Sequence, residues 1–248
     1  MPVAFAFDIF GTLLDRRAIV PELKSLVGEK AEQFAERWQE KRLEYAWIRT
    51  LIRRYEDFSR CTDQALRQIE RQFGRAFSDE ERGRLLRRMG NLPAFSDVIP
   101  GLRNLKALGH TLVAFSNATR SSARTALEQA AILKSVADVI SVDEVMSFKP
   151  DRAAYAYLVS RMEREPTDIW LVSENSWDVT GAKAAGLRAV WVRRQPQIEF
   201  ESMGLEPDFV VSDMLDLAER FAMDEDVAGV GLREPIAANN RKILETES

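Results

Sequence analysis

Five short apolar runs recur along this chain, at residues 3–8, 111–116, 138–142, 169–173 and 189–192, with a weaker sixth at 209–211. Stretches of helix-forming residues at 101–108, 121–131, 151–162 and 178–185 separate most of them. Runs that stay apolar instead of alternating belong to strands buried on both faces. Such strands alternating with helices predict a doubly wound parallel α/β sheet with helices on both sides.

The segment between the first two runs has another texture. Residues 16–96 hold no strand-like run and many helix formers. Leu43, Trp47, Leu51 and Tyr55 recur every fourth residue, which predicts one apolar helical stripe. Asp57 and Phe58 precede a second helical stretch at 62–73, and Ser78-Asp79-Glu80-Glu81 reads as a helix start with acidic residues in its first turn. Pro93 and Pro100-Gly101 mark the return to the sheet. The predicted organisation is an α/β core of residues 1–15 and 97–222, a helical cap of residues 16–96 inserted after the first strand, and an acidic C-terminal extension of residues 223–248. The insert carries 18 Lys and Arg against 13 Asp and Glu, whereas the whole chain has a net charge of −4. That excess either solvates the helical surface or draws a small anion toward the sheet.

With 248 residues, 46% of them hydrophobic, the chain can bury a sizeable core. The acidic balance gives no basic footprint for nucleic acid, no apolar run reaches the length of a membrane span, and the first strand starts where a signal peptide would lie. A single cysteine, Cys61, excludes an internal disulfide framework and reads as a small apolar filler of the helical insert. A single histidine, His110, excludes multi-histidine metal sites and reads as a turn residue before the second strand, away from the strand ends that carry polar groups. A cytoplasmic protein working with carboxylates, hydroxyls, amides and lysine is the expectation.

In an open parallel sheet ligands bind beyond the carboxyl ends of the strands. Those ends are Asp8-Ile9-Phe10-Gly11-Thr12, Ser116-Asn117, Ser147-Phe148-Lys149-Pro150-Asp151 and Ser173-Glu174-Asn175-Ser176-Trp177-Asp178. Each alone could be a helix cap or a turn. Together they bring two carboxylates, a lysine, hydroxyls and amides to one edge.

Four stretches, FDIFGTLLD, LVAFSNAT, SFKPDRAAY and WLVSENSWDVTGAKAAGL, in this order and spacing resemble the haloacid dehalogenase superfamily, and within it the L-2-haloacid dehalogenases, over about residues 3–220. The resemblance implies that Asp8 is a nucleophile that displaces a leaving group and forms an aspartyl ester, which water then hydrolyses. It implies that Lys149 holds Asp8, that Thr12 and Ser173 orient it, and that Asn175 and Asp178 position the water, with Asp178 also pairing Lys149. Ser116 and Asn117 would bind the substrate carboxylate or the leaving group, and Tyr155 would support the site or simply pack. Ile9, Phe10, Leu43, Phe58 and Trp177 match positions lining an apolar pocket for a short alkyl chain. The implied substrate is a small 2-substituted carboxylate, with no cofactor and no metal, and relatives of this kind pair as homodimers through the cap.

Three positions depart from the family pattern. Phe10 stands where phosphatases of the superfamily carry a second aspartate and dehalogenases a tyrosine. Phenylalanine cannot protonate a leaving oxygen, and a halide needs no proton, so Phe10 disfavours a phosphatase. Gln39 stands where the family places the arginine that receives the halide, and it carries no charge; Arg42 lies three residues on. Glu174 replaces a small hydroxyl residue; it is expected to point to solvent or to pair with a lysine, the alternative being that it faces inward and suits a substrate with a cationic amine or a leaving nitrogen that needs a proton. With the halide cradle weakened at Gln39, the expectations are a 2-haloacid dehalogenase first and an azetidine-2-carboxylate ring-opening hydrolase second. A phosphatase and a binding module without catalysis follow.

Overall fold

Val3 to Asp8 form the centre of the molecule because nothing in the run but its last residue can face water. In the computed structural model, which describes residues 2–223, β1 (Ala4–Phe7) lies inside a six-stranded parallel sheet with β2 (Thr111–Ser116), β3 (Asp138–Ser141), β4 (Ile169–Ser173), β5 (Arg188–Val192) and β6 (Phe209–Val211). The strand order is β3-β2-β1-β4-β5-β6. Phe5 and Phe7 of β1, Leu112 and Ala114 of β2, and Trp170 and Val172 of β4 face one helical layer; Ala6, Val113, Phe115, Ile169 and Leu171 face the other. Both sets are buried, so the strands read as continuous apolar runs, as predicted.

Nine α-helices are present among the described residues. Between β1 and β2 lie α1 (Val20–Val27), α2 (Ala31–Leu51), α3 (Phe58–Gln72), α4 (Asp79–Met89) and α5 (Val98–Ala107). Then come α6 (Arg120–Gln129), α7 (Arg152–Met162), α8 (Ser176–Ala184) and α9 (Met214–Met223). Helices α5, α6 and α9 cover the Phe5 face of the sheet, and α7 and α8 cover the Ala6 face. The helix starts follow local capping chemistry. The Asp57 carboxylate accepts the Ser59 and Arg60 amides at 2.8 and 3.2 Å, which starts α3 at Phe58, four residues earlier than periodicity alone predicts. Ser78 and Glu81 close a capping box on α4, as the sequence predicts. None of the helices is long and apolar enough to cross a membrane.

The apolar stripe of α2 differs from expectation. Its buried residues are Ala31, Phe34, Trp38, Arg42, Leu43 and Ala46, while Leu51 is 81% exposed and Tyr55 lies past the helix end. The buried face of α2 runs through Phe34, Trp38, Arg42 and Ala46, and the repeat from Leu43 through Trp47 to Leu51 runs beside that face and leaves it. Residues 224–248, nearly all of the expected C-terminal extension, lie outside the described residues, as does Met1.

The sheet order decides where a ligand can sit. The chain leaves β1 for β2 on one side and leaves β4 for β5 on the other, so the loops after β1 and β4 diverge and open a crevice between neighbouring strands. The Asp8 amide still donates to the Val172 carbonyl at 3.0 Å, which fixes the Asp8 side chain at that crevice. His110 stands at the opposite, amino-terminal edge, as expected. Its Nδ1 accepts the Val3 amide at 3.1 Å, and its ring packs edge-on against Phe5 and Phe221.

Burial holds the His110 imidazole below its ordinary value. Its stabilising contribution is therefore full above about pH 6.5 and is lost as pH falls through the lower, folded value. The stability gap between the protein and His110→Asn, read from urea midpoints, is expected to narrow between about pH 7.5 and about pH 5.5. A gap that does not change with pH would contradict the assignment.

Candidate active site

The loop after β1 is a tight turn that returns its own hydroxyl to its own carboxylate. The Leu13 and Leu14 amides both donate to the Ile9 carbonyl at 2.9 Å. Gly11 takes a φ of +98°, a conformation that favours glycine, and a Cβ there would come within 2.6 Å of Arg16 Nε. The turn brings Thr12 Oγ1 to 3.0 Å from Asp8 Oδ2, to which it donates, and Thr12 Oγ1 itself accepts the Glu174 amide at 2.9 Å. The loops after β1 and β4 are thus tied across the crevice.

Lys149 is the buried cation of this edge, with 0% exposure. Its Nζ donates to Asp8 Oδ1 at 2.9 Å, to Asp178 Oδ2 at 2.7 Å and to the Phe115 carbonyl at 3.3 Å. All three ammonium hydrogens are used. Burial alone would lower the lysine, but the charges of Asp178 and Asp8 outweigh it and hold the ammonium above its ordinary value. Asp178 is shifted upward by burial and by Asp8, with Lys149 working against the shift. Its second oxygen, Oδ1, accepts from Tyr155 at 2.7 Å. Gly181 makes that contact fit, because a Cβ there would lie 2.5 Å from the Tyr155 hydroxyl.

Most predicted site residues converge. Asn175 Nδ2 donates to Asp8 Oδ2 at 3.1 Å, and Ser173 Oγ accepts the Asn175 amide at 3.1 Å. Asn117 Oδ1 accepts the Lys149 amide at 2.9 Å, and Ser116 Oγ accepts the Ala118 amide at 3.1 Å, which leaves the Ser116 hydroxyl hydrogen and the Asn117 amide hydrogens for a ligand. Tyr155, for which packing was the alternative, holds Asp178. Asp178 has both oxygens engaged and no exposure, so it acts on the site through Lys149 and not by direct contact with open space. Leu43 and Phe58 are buried together with Phe148 on the Ala6 side, and Trp177 meets Trp47 edge-on at 5.8 Å. Ile9 is fully buried in the core on the opposite side, where Phe10 packs half-buried. Gln39 lies apart from the Asp8 array, on α2, in a cleft of about 720 Å³ with Trp38, Arg42 and Met89.

Glu174 corrects one expectation: it neither faces solvent nor pairs with a lysine. Its carboxylate is bonded to Arg16, in the 3₁₀ turn that precedes α1. Burial raises its carboxyl, Arg16 works against that, and the Asp8 charge adds to it. Three further residues carry no motif signal. Trp47 Nε1 donates to the Lys149 carbonyl at 3.1 Å, Arg16 binds Glu174, and Arg194 Nη2 donates to the Thr12 carbonyl at 2.7 Å while its Nη1 pairs Asp97. Their partners are remote in sequence, so no local pattern marks them. Among the described residues no group of three or more His, Cys, Asp or Glu side chains is placed to hold a metal ion. Lys149 Nζ itself stands between the two carboxylates.

An open parallel sheet with an aspartate after its first strand, tied to a buried lysine and a second aspartate, defines an α/β hydrolase core of the haloacid dehalogenase class. The model of the haloacid dehalogenase-like hydrolases matches residues 3–186, and the chain belongs to that family. Its curated relatives include (S)-2-haloacid dehalogenase 1 of Pseudomonas sp. (strain CBS-3), 36% identical over 77% of this chain and 84% of that protein. Another is the (S)-2-haloacid dehalogenase of Pseudomonas sp. (strain YL), 32% identical over 87% of this chain and 93% of its own. A solved L-2-haloacid dehalogenase of Xanthobacter autotrophicus, with chloropropionic acid covalently bound, superposes with a TM-score of 0.84 and 26% identity, covering 93% of this chain and all of that one.

Replacing Lys149 by Met would leave two buried carboxylates facing each other, at an expected cost of about 3–5 kcal/mol near neutral pH. The cost should shrink as pH is lowered, because a carboxyl raised in the folded state binds its proton more readily there than in the unfolded chain. Urea unfolding of Lys149→Met at two pH values tests this; an equal loss at both would contradict the charge account.

Proposed function

We propose that this protein is an (S)-2-haloacid dehalogenase that converts a small 2-haloalkanoate to a 2-hydroxy acid and halide. The observation that carries this reading is the unequal loading of the Asp8 carboxylate. Oδ2 accepts from Thr12 and Asn175, whereas Oδ1 accepts from Lys149 alone. Oδ1 keeps a lone pair for attack while Oδ2 fixes the carboxylate plane.

In the first step Asp8 Oδ1 forms a bond to C2 as the carbon–halogen bond breaks, and the electron pair leaves with the halide. Backside displacement inverts C2. The covalent chloropropionic acid in the Xanthobacter enzyme is what an ester of this kind would look like. In the second step water adds to Cγ of Asp8, and the carboxylate is regenerated as the 2-hydroxy acid leaves. Thr12 and Asn175, the donors to Oδ2, are placed to stabilise the oxyanion that forms there, while Lys149 stands at Oδ1, the ester oxygen. Ser116 and Asn117 supply donors for the substrate carboxylate. Leu43, Phe58 and Trp177 supply the dry, apolar walls that keep water from the halogen-bearing carbon. The names of the relatives favour halide over a ring nitrogen as leaving group, and Phe10 disfavours a phosphate ester.

The α/β core is residues 1–15 and 97–222, and the helices of 16–96 serve as a cap over the crevice. Trp47 on Lys149 and Arg16 on Glu174 are contacts that support this reading. We further read a cytoplasmic homodimer. The single cysteine supports a reducing compartment, and Ile48, Leu51 and Ile52, which are exposed together at the end of α2, offer an apolar surface for pairing. The mass of the protein in solution tests the pairing.

Halide release from L-2-chloropropionate in the presence of EDTA, with Asp8→Asn as the blank, tests the activity. Release by the protein, and a fall of at least about 10³-fold in the variant, are expected for loss of a nucleophile. No release by the protein, or equal release by both, would overturn the reading.

A further inference from the structure

Arg42 is a buried arginine that has no counter-charge among the described residues. It sits on α2 one turn beyond Gln39 and is 3% exposed. Its guanidinium lies over the Phe58 ring, 5.1 Å from the centroid, and Nη1 approaches only the Met89 sulfur, at 3.9 Å. Nε is buried with no partner among the described residues. Among the described residues no carboxylate reaches it. The charged group it feels most is Arg16, of the same sign, and burial together with Arg16 brings it down to about 9. Arg16 is already neutralised by Glu174.

An uncompensated buried cation is costly, and proteins rarely keep one without an anion to meet it. Gln39 adds an independent sign of the same kind. Its Oε1 is buried and unpartnered, and it lines the same cleft as Arg42. Two side chains one turn apart on one face of α2 therefore hold unused polar atoms at a shared space. None of the reacting groups lines that space, but two chains of contacts link it to them. Phe58, under the guanidinium, packs on Phe148, the neighbour of Lys149. Arg16, in the cleft wall, holds Glu174, whose amide is bonded to Thr12 beside Asp8.

We propose that Arg42, flanked by Gln39, receives the halide that leaves C2. The inference rests on the dehalogenase reading above, and it says how the chain manages without an arginine at position 39. As the carbon–halogen bond breaks, its electron pair becomes a full negative charge on the halide. The Arg42 guanidinium meets that charge with its Nε–H, which no described residue accepts, and with Nη1, held only by the Met89 sulfur. The half-empty hydrogen-bonding of Gln39 leaves its amide free to turn and offer its own N–H to the same ion.

Three variants test this: Arg42→Met, Arg42→Lys and Arg42→Gln. The readouts are bromide binding, followed with potassium bromide by calorimetry, and rates with 2-chloro- and 2-bromopropionate. Arg42→Met should lose bromide binding and be no less stable to urea than the parent, because it removes an unpaired buried charge. Arg42→Gln should lose about 10²-fold in kcat with the chloro acid, and less with the bromo acid, whose leaving group needs less help. Arg42→Lys should recover part of both. Unchanged bromide binding in Arg42→Met, or equal rate losses with both acids, would overturn the proposal. If the parent protein releases no halide from either acid, the dehalogenase reading fails, and the bromide titration still decides Arg42: binding lost in Arg42→Met retains it as an anion site, and binding kept removes it.

Discussion

Burying an ammonium group between two carboxylates is the interaction on which the rest of this structure depends. Lys149, Asp8 and Asp178 are all nearly or wholly removed from water, and any one of them left alone would be strongly destabilising. Together they form a chain in which each charge has a partner. Tyr155 closes the chain at one end, and Thr12 and Asn175 close it at the other. The result is an Asp8 carboxylate whose charge is balanced but whose Oδ1 accepts from Lys149 alone. A carboxylate in water is a poor nucleophile because its hydration shell must be stripped first; here that stripping is done by folding.

The sheet order makes this array available. Because β1 lies between β2 and β4 and the chain turns opposite ways after β1 and β4, the polar ends of both strands face one crevice. The hydrogen bond from the Asp8 amide to Val172 extends the ladder one residue past β1, so the carboxylate is positioned by the sheet and not by a mobile loop. Helix packing supplies the remaining precision. Gly181 lets Tyr155 approach α8, and Arg194 pins the outside of the Asp8 turn through the Thr12 carbonyl.

Much of this was legible in the residues. The strands were recognisable because a doubly covered parallel sheet demands unbroken apolar runs, and even the three-residue β6 announced itself. The beginning of β5 was not, because Arg188 looks like a turn residue until its side chain is seen lying over the Trp170 ring. Asp8, Thr12, Lys149, Asn175 and Asp178 could be placed together because each follows a strand and strand ends share an edge. The links from the helical segment to that edge could not. Arg16 meets Glu174 across 158 positions, and Trp47 meets the Lys149 carbonyl across 102, and nothing local in the sequence encodes either pairing. The α2 stripe failed because the buried face is set by tertiary packing along Phe34, Trp38, Arg42 and Ala46, one position off the apolar repeat that starts at Leu43. Arg42, which looks like a surface charge in the sequence, is buried because it lies on that same face.

The central claim is that Asp8 itself is esterified and then restored by attack of water on its own carbonyl carbon. The most direct measurement is a single turnover of L-2-chloropropionate in ¹⁸O-labelled water with protein in excess, followed by mass analysis of the peptide that contains Asp8. The account predicts that the label enters Asp8 and that the first hydroxy acid released carries an unlabelled oxygen. Label found in the product alone, with Asp8 unlabelled, would mean that water attacks the substrate directly, and would contradict it.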